Sequence, residues 1–554
     1  MNNEYIQNFS NLLESPRDFD VKINVGENQN IKVFKAHSNI LSAKSDYFKA
    51  ALSSRWARRE DGFIIFDKPN ISPPVFEILV NYIYKGTFSN YDEVSLFDIF
   101  IAADEIGLSK ISHQIEERLK NEVLEYIRQG EFFKALEFSE EILKNIPYSA
   151  EFQESLSKWD VSNYRCDLER INGLSKTLYK NSTLTSLDLS YNILGPEGGK
   201  ALADALCNDF TLKDLNLRYN NLGLKGEEAL ANALCKNSTL TSLDLSWNEF
   251  GSKGGKILAD ALCKNSTLIS LDISWNKFGP EGRKALTDAL CKNTALTSLN
   301  LGCNNFGLEE EKALADALCK NSTLTSLDLY DNKLGSEGGK ELANALCNNS
   351  TLKYLNLSYN NFDPEGGKAL ADALCKNSTL KDLNLRHNNL RSEGGKALAV
   401  ALCKNSTLTS LNLLGNWIGL EGGKALADAL CKNSTLTSLN FGSNNLGLEG
   451  GKALANALCK NSTLTSLDLS WNQFGSEGGN ALADALCKNT TLTSLNLGGN
   501  KLGLKGGKVL ADALCKNSTL TSLDLCDNAL RSEEGKVLEN ALCKNSTLMH
   551  FKLT

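Results

Sequence analysis

A thiol recurs at a fixed interval along most of this chain. Thirteen of its sixteen cysteines fall 28 residues apart, from Cys207, Cys235 and Cys263 to Cys515 and Cys543. Thiols in such number could ligate a soft metal, pair as disulfides or act as nucleophiles. The interval argues against all three. One cysteine per repeat, each inside Ala-Leu-Cys, is the pattern of a core position and brings no second ligand beside it. If each lies at a helix end, neighbouring helices stacked about 8–10 Å apart hold the Cα atoms too far apart to bridge. Reduced, buried thiols in a reducing compartment are expected. The four histidines, His37, His113, His387 and His550, are scattered over unrelated segments. No nucleophile elbow, His-Glu-x-x-His run, metal-spaced Cys/His cluster or Walker-type phosphate loop occurs. No catalytic residue, metal or cofactor is therefore expected, and the chain does not read as an enzyme.

Two other columns of the same period bear on recognition instead. One holds only Asp or Asn: Asp188, Asn216, Asp244, Asp272, Asn300, Asp328, Asn356 and onward. The plainer reading is a hydrogen-bonded ladder with an acidic tint. The functional alternative is an electronegative groove that selects a partner with basic groups. The second column starts with Tyr191, Tyr219, Trp247 and Trp275 in four successive repeats. It continues through Cys303, Asp331, Tyr359, His387, Gly415, Ser443, Trp471, Gly499 and Asp527. Tyr and Trp are the side chains most enriched in binding hot spots, so four in a row on an exposed column point to partner binding. Arg218 and Arg386, each one position before an aromatic ring, add positive charge to that surface.

The elements that position these columns follow from the unit that carries them. From about residue 181 the chain repeats L-T-S-L-D-L-S-Y-N-I-L-G-P-E-G-G-K-A-L-A-D-A-L-C-K-N-S-T thirteen times, with a partial unit ending in Leu548, Phe551 and Leu553. The landmark asparagines, Asn192 through Asn528, keep the period without a slip. In Leu184–Leu189 the period-2 alternation sends Leu187 and Leu189 inward, and Ser186, Asp188 and Ser190 outward. Asn192 ends the strand, where its amide can satisfy backbone groups. Gly195, Gly198 and Gly199 loosen the turn. Lys200–Leu206 is then a run of helix formers with Ala201, Leu202, Ala205 and Leu206 spaced to bury one stripe. The Asn-Ser-Thr triplets match the glycosylation acceptor pattern, but without secretion they read as a polar turn.

A strand and a helix of this size cannot bury their apolar faces alone, so neighbouring units must stack. Strands stack at about 4.8 Å and helices at about 8–10 Å, which bends the array with its strands on the concave side. The unit, with its L-x-x-L-x-L-x-x-N run, resembles the ribonuclease-inhibitor-like class of leucine-rich repeats, also seen in NOD-like receptors and the GTPase activator of Ran. The resemblance covers about two-thirds of the chain.

The N-terminal region lacks the period. Asp20–Val25 and Ile31–Phe34 read as strands around the turn Gly26–Asn30. His37–Phe48 reads as helical and Gly62–Phe66 as another strand. A helix with Pro in its first turn then runs from Ser72 to Gly86. These residues, with F-K-A-H, S-D-Y-F-K-A-A-L and V-F-E-I-L-V-N-Y-I-Y-K-G, resemble the BTB/POZ family. The resemblance implies a mixed α/β interaction fold that self-associates or docks on a cullin scaffold. It places Asp20 at the family's pocket aspartate and His37 at the family histidine, with Ser38 where a basic residue often follows. Trp56-Ala57-Arg58 is the nearest match to the hydrophobic–x–Glu motif of cullin-binding members, with Arg58 replacing Glu.

The expected organisation is α/β. A tail (1–17) precedes a BTB/POZ-like α+β domain (18–90) and a helical extension (91–145), with Leu96, Phe97, Phe100, Ile101 and Ala102 on one stripe. A linker and solenoid cap (146–180), with Trp159 in its core, leads into the curved solenoid (181–554), parallel strands inside and helices outside. The net charge of −7 and the absence of a polybasic run speak against nucleic acid or an anionic membrane as partner. No signal-like start and no long apolar window place the protein in the cytoplasm, with the nucleus left open. The functional expectation is a protein-binding adaptor, a substrate receptor for a cullin-type ubiquitin ligase. Its BTB-like domain would dock or dimerise through residues such as Asp20, His37 and Trp56, while the solenoid captures a target protein. The alternative is a sensor or scaffold without ligase association.

Overall fold

The computed structural model describes residues 12–13, 18–53, 58–87, 94–145, 150–307, 310–530, 537–538, 540–542 and 544–553. The chain divides into two compact units, Met1–Val161 with Lys180–Ser186, and Ser162–Tyr179 with Leu187–Thr554.

In the first unit, Val21–Val25 (β1) is the hub of a small mixed sheet. Its alternation buries Val21, Ile23 and Val25 completely. It pairs antiparallel with Lys32–Ala36 (β2) and parallel with Phe63–Lys68 (β4). A short strand the sequence did not signal, Arg58–Glu60 (β3), closes the order β2-β1-β4-β3. The helical stretch after β2 is two helices, Ser38–Lys44 and Asp46–Ala51. Ser45 breaks the first and caps the second by accepting from the Phe48 N–H. The helix Pro73–Lys85 has Pro in its first turn and ends at Gly86 in the left-handed region (φ 70°). It buries Phe76, Leu79, Ile83 and Tyr84. Three helices follow, Leu96–Glu105, Ser109–Gln129 and Phe132–Asn145. The inward stripe of the first is Ile99, Phe100, Ala102 and Ala103. Ile101, expected inside, is 48% exposed because it sits on the opposite arc of the 3.6-residue turn. Trp159 is buried and stacks on Phe132 at 6.4 Å.

The second unit is a regular α/β solenoid. Three-residue strands from Ser186–Asp188 to His550–Lys552 lie in one parallel sheet whose spatial order follows the chain, each residue in register with its counterpart 28 positions away. Helices such as Gly195–Leu206 alternate with them. The helix Leu168–Leu178 covers the first repeat, with the Cys166 N–H donating to Asn192 Oδ1. Terminal repeats need such a cover.

Three details differ from the sequence expectation. The glycines Gly198 and Gly199 lie buried in the first turn of the helix, not in a loose loop. A Cβ on Gly199 would stand 3.0 Å from the Cα of Gly226, so glycine here permits helix-to-helix contact. The buried stripe takes Ala203 in place of Ala201. The repeat cysteines are not core residues: Cys235, Cys263 and Cys319 are exposed and Cys207 is half-buried. Each cysteine follows the Ala-Leu pair that completes the inward stripe, and the next 100° of helix turns its side chain outward.

The Asn-Ser-Thr segment is likewise more than a polar turn. Asn349 is buried, donates to Leu318 O at 2.8 Å and accepts from the Thr351 and Leu352 N–H groups. It belongs to a second asparagine ladder, parallel to that of Asn192–Asn528. In the first ladder Asn332 is fully buried, donates to Leu301 O and accepts from the Asn304 and Phe306 N–H groups. Each ladder satisfies backbone groups where the chain leaves a regular element, which is why Asn recurs there.

Candidate interaction surface

The strand face of the solenoid is where the sequence-selected residues gather. On each strand the middle outward residue is the Asp/Asn column. Its inner oxygen accepts the N–H two residues on, as Asp188 Oδ1 does from Ser190 and Asp244 Oδ1 from Ser246, both at 2.8 Å. Where an Asp is followed by an Asn in the next repeat, its second oxygen accepts from that amide: Asn216 donates to Asp188 (2.9 Å), Asn300 to Asp272 (2.8 Å) and Asn356 to Asp328 (2.8 Å). The ladder is thus structural, as the plainer reading holds. Its acidic tint is uneven. Asp244 and Asp272 are adjacent with no amide between them, and burial followed by the Asp272 charge holds the Asp244 carboxyl above its ordinary range. Burial, with Asp272 adding, does the same at Asp328.

The aromatic column stands at the end of the strand, where the chain turns. Tyr191, Tyr219, Trp247 and Trp275 all occupy the left-handed region, with φ between 56° and 59°. Gly415 and Gly499 take the same conformation in later copies. A glycine would adopt this backbone without strain, whereas a large L-residue costs on the order of 1–2 kcal/mol. The four rings stack on one another. Tyr191 and Tyr219 lie 5.2 Å apart, Tyr219 and Trp247 6.0 Å, and Trp247 and Trp275 4.1 Å with planes only 15° apart. Arg218 is held among them, its guanidinium 5.9 Å from the Tyr191 ring and 6.0 Å from that of Trp247. Its Nε–H donates to the Tyr191 hydroxyl. Tyr191 and Tyr219 remain 41% and 45% exposed, and both Trp rings are half-buried by their neighbours. The four rings and Arg218 therefore form one continuous surface beside Asp188, Asp244 and Asp272.

A second cluster was visible in the sequence only in part. Tyr330, Tyr359 and His387 pack at 5.3 and 4.5 Å, with the Arg386 guanidinium 5.8 Å over Tyr359. Burial and Arg386 push the His387 pKa down, so its ring is neutral near pH 7. Tyr330 comes from the neighbouring column, which only the folded turn brings beside Tyr359. Trp417, 63% exposed, was not singled out either. It lines a surface depression with Arg391, a residue at φ 51° where most repeats carry glycine.

Two of the candidate residues of the first unit, Asp20 and His37, are tied up by partners within the unit. Asp20 accepts from both the Ser38 N–H (2.8 Å) and the Ser38 hydroxyl, fastening the start of the Ser38–Lys44 helix. His37 is buried, with its N–H and Nδ1 each 2.9 Å from the Tyr84 hydroxyl. Burial raises that phenol to about 12. Trp56 lies outside the described residues. Arg58 is exposed and paired with Glu60 at 3.2 Å.

Comparison with known proteins fits both units. Twelve segments between residues 180 and 511, together spanning half of the chain, match the leucine-rich-repeat family. The chain belongs to that family. Residues 9–122 match the BTB/POZ domain, so a BTB domain precedes the leucine-rich repeats and extends into the helices after Gly86. Among solved structures, the BTB domain of zebrafish PATZ1 is 24% identical. The match covers 21% of this chain and 90% of that one, with a TM-score of 0.18 over the comparison. Leucine-rich repeats and BTB domains are protein-interaction modules. Among the described residues no helix is long and apolar enough to cross a membrane.

Proposed function

We propose that this leucine-rich-repeat protein is a non-catalytic, cytoplasmic adaptor. Its solenoid captures a target protein on the strand face, and its BTB domain docks that target on a cullin-type ubiquitin ligase or pairs with a second copy of the chain. The observation that carries the capture role is the four-ring stack with Arg218. Large rings are kept at left-handed positions, half in solvent, in an unbroken row across four successive repeats. The test is a pull-down of the full chain with purified cullin, alongside Trp56→Ala. Cullin retention by the wild type and its loss in the variant support the ligase reading.

A second reading is favoured by Arg58, which puts a guanidinium where cullin-binding members carry a carboxylate. On that reading the chain is a sensor or scaffold without ligase chemistry. Absence of cullin retention by the wild type, with target capture intact, would decide for it.

A further inference from the structure

The strand face changes sign along its length. From the third to the sixth repeat its outward positions, up to and including the aromatic column, carry Asp244, Asp272, Asp328 and Asp331 and no basic residue; beyond that column Lys277, paired with Glu249 at 2.8 Å, and Lys333 stand in the turns. The ring stack ends here at Trp275, and the next strand offers only Asn300, Gly302 and Cys303 before Tyr330. In the seventh and eighth repeats the ladder residues become Asn356 and Asn384, and the same face carries Lys353, Lys381 and Arg386 against one carboxylate, Asp382. Lys353, Lys381 and Arg386 are exposed, and no ion pair found among the described residues engages them. Lysines on the helical side, such as Lys340 and Lys396, are matched by Glu337 and Glu393 one turn away. Exposed cations gathered on a strand face without an ion pair present a field to a partner.

Geometry sets the length of that partner. The strands bearing Asp272 and Lys381 are separated by four steps of the parallel sheet. At about 4.8 Å per step the separation is roughly 19 Å, which an extended chain covers in about six residues. Trp275 supplies a ring against which a cation can lie, as Arg218 already lies against Tyr191 and Trp247.

We propose that the solenoid takes an extended polypeptide segment laid across its strands. A Lys or Arg of that segment would lie against Trp275, Asp244 and Asp272, and an Asp or Glu about six residues away would lie on Lys353, Lys381 and Arg386. The inference rests on the capture role proposed above and names the chemistry of the captured segment.

A phage-displayed library of random peptides tests it, panned on the full chain, on Lys381→Glu/Arg386→Glu and on Asp244→Asn/Asp272→Asn. The substituted side chains lie on the open strand face, and circular dichroism checks that each variant is folded. The wild type is expected to enrich peptides with a basic and an acidic residue at the stated separation. The first variant should lose the acidic preference alone and the second the basic preference alone. A synthetic peptide of the enriched sequence should bind each variant at least roughly tenfold more weakly, with a marked salt dependence. Enrichment without the paired charges, an identical pattern on all three proteins, or no enriched peptide overturns the proposal. Cullin retention is measured separately. The charge pattern without cullin leaves this inference standing and removes the ligase reading, and cullin without the pattern does the reverse.

Discussion

The helical layer of the solenoid meets one packing demand in two ways. From Gly338 to Gly507 nearly every repeat places two glycines in the first helical turn, and a Cβ on Gly339 would stand 2.9 Å from the Cα of Gly366. Side chains are simply omitted so that helices can touch. Between Glu227 and Glu310 the same columns carry charge in the second, fourth and fifth repeats, while the third keeps Gly254 and Gly255. Arg283 and Glu310 replace the glycines with a buried pair, Nε to Oε2 at 2.9 Å and Nη2 to Oε1 at 3.2 Å, while Nη1 donates to Phe278 O. The guanidinium fork thus has its partners in place. Glu227 has none: it is 1% exposed, both carboxyl oxygens lack a hydrogen bond, and burial, with Glu228 adding, pushes its pKa up to about 9. The contrast teaches that a charged side chain is tolerated at a helix contact when its hydrogen bonds are complete, and stays neutral when they are not.

Glu227 offers the sharpest way to break that contrast. Below about pH 4.5 the carboxyl is protonated whether the chain is folded or not. As pH rises toward 9 the unfolded form ionises while the folded form keeps its proton, so the folded state binds more protons and loses stability across this window. The loss is on the order of 5 kcal/mol and levels off above the folded pKa. Amide exchange in the helix Gly223–Leu234 should therefore quicken with rising pH beyond its intrinsic dependence, and Glu227→Gly should remove the excess. An equal excess in the variant would show that another group is responsible.

Arg283→Met should cost about 3–5 kcal/mol, because it leaves Glu310 buried without its partner. The double change Arg283→Gly/Glu310→Gly recreates the glycine columns and should recover most of that loss in urea unfolding. A double variant as unstable as the single one would mean that the pair holds the repeats together in a way glycine cannot replace. The smallest effect is expected in the regular stretch. Gly339→Ala forces a methyl toward the Gly366 backbone and should destabilise by about 1–3 kcal/mol. No change in midpoint would show that the helices can part at little cost.

Most of the fold was legible because a repeat states its pattern thirteen times. Leu187 and Leu189 alternate as a strand must, and Asn192 recurs where backbone groups need an amide. Gly199 was harder to read, since glycine can mean either freedom or closeness, and only a neighbouring helix distinguishes them. The cysteines misled for a related reason. An invariant internal column suggests a core position, yet the side chain points to water one step past the buried Leu206. On the strand face the aromatic column was readable as a row, but Tyr330 was not, because it joins Tyr359 from a different column.

By itself the amino-acid order determined the period, the strand and helix faces, the two kinds of module and the row of rings from Tyr191 to Trp275. These follow from local geometry, in which a period of two or 3.6 residues decides what points where. The tertiary structure alone decided that Arg218 lies among those rings, that Arg283 finds Glu310, and that Asp20 and His37 turn inward to Ser38 and Tyr84. Those outcomes depend on side chains 18 to 47 positions apart meeting at hydrogen-bonding distance, and no local period records such a meeting.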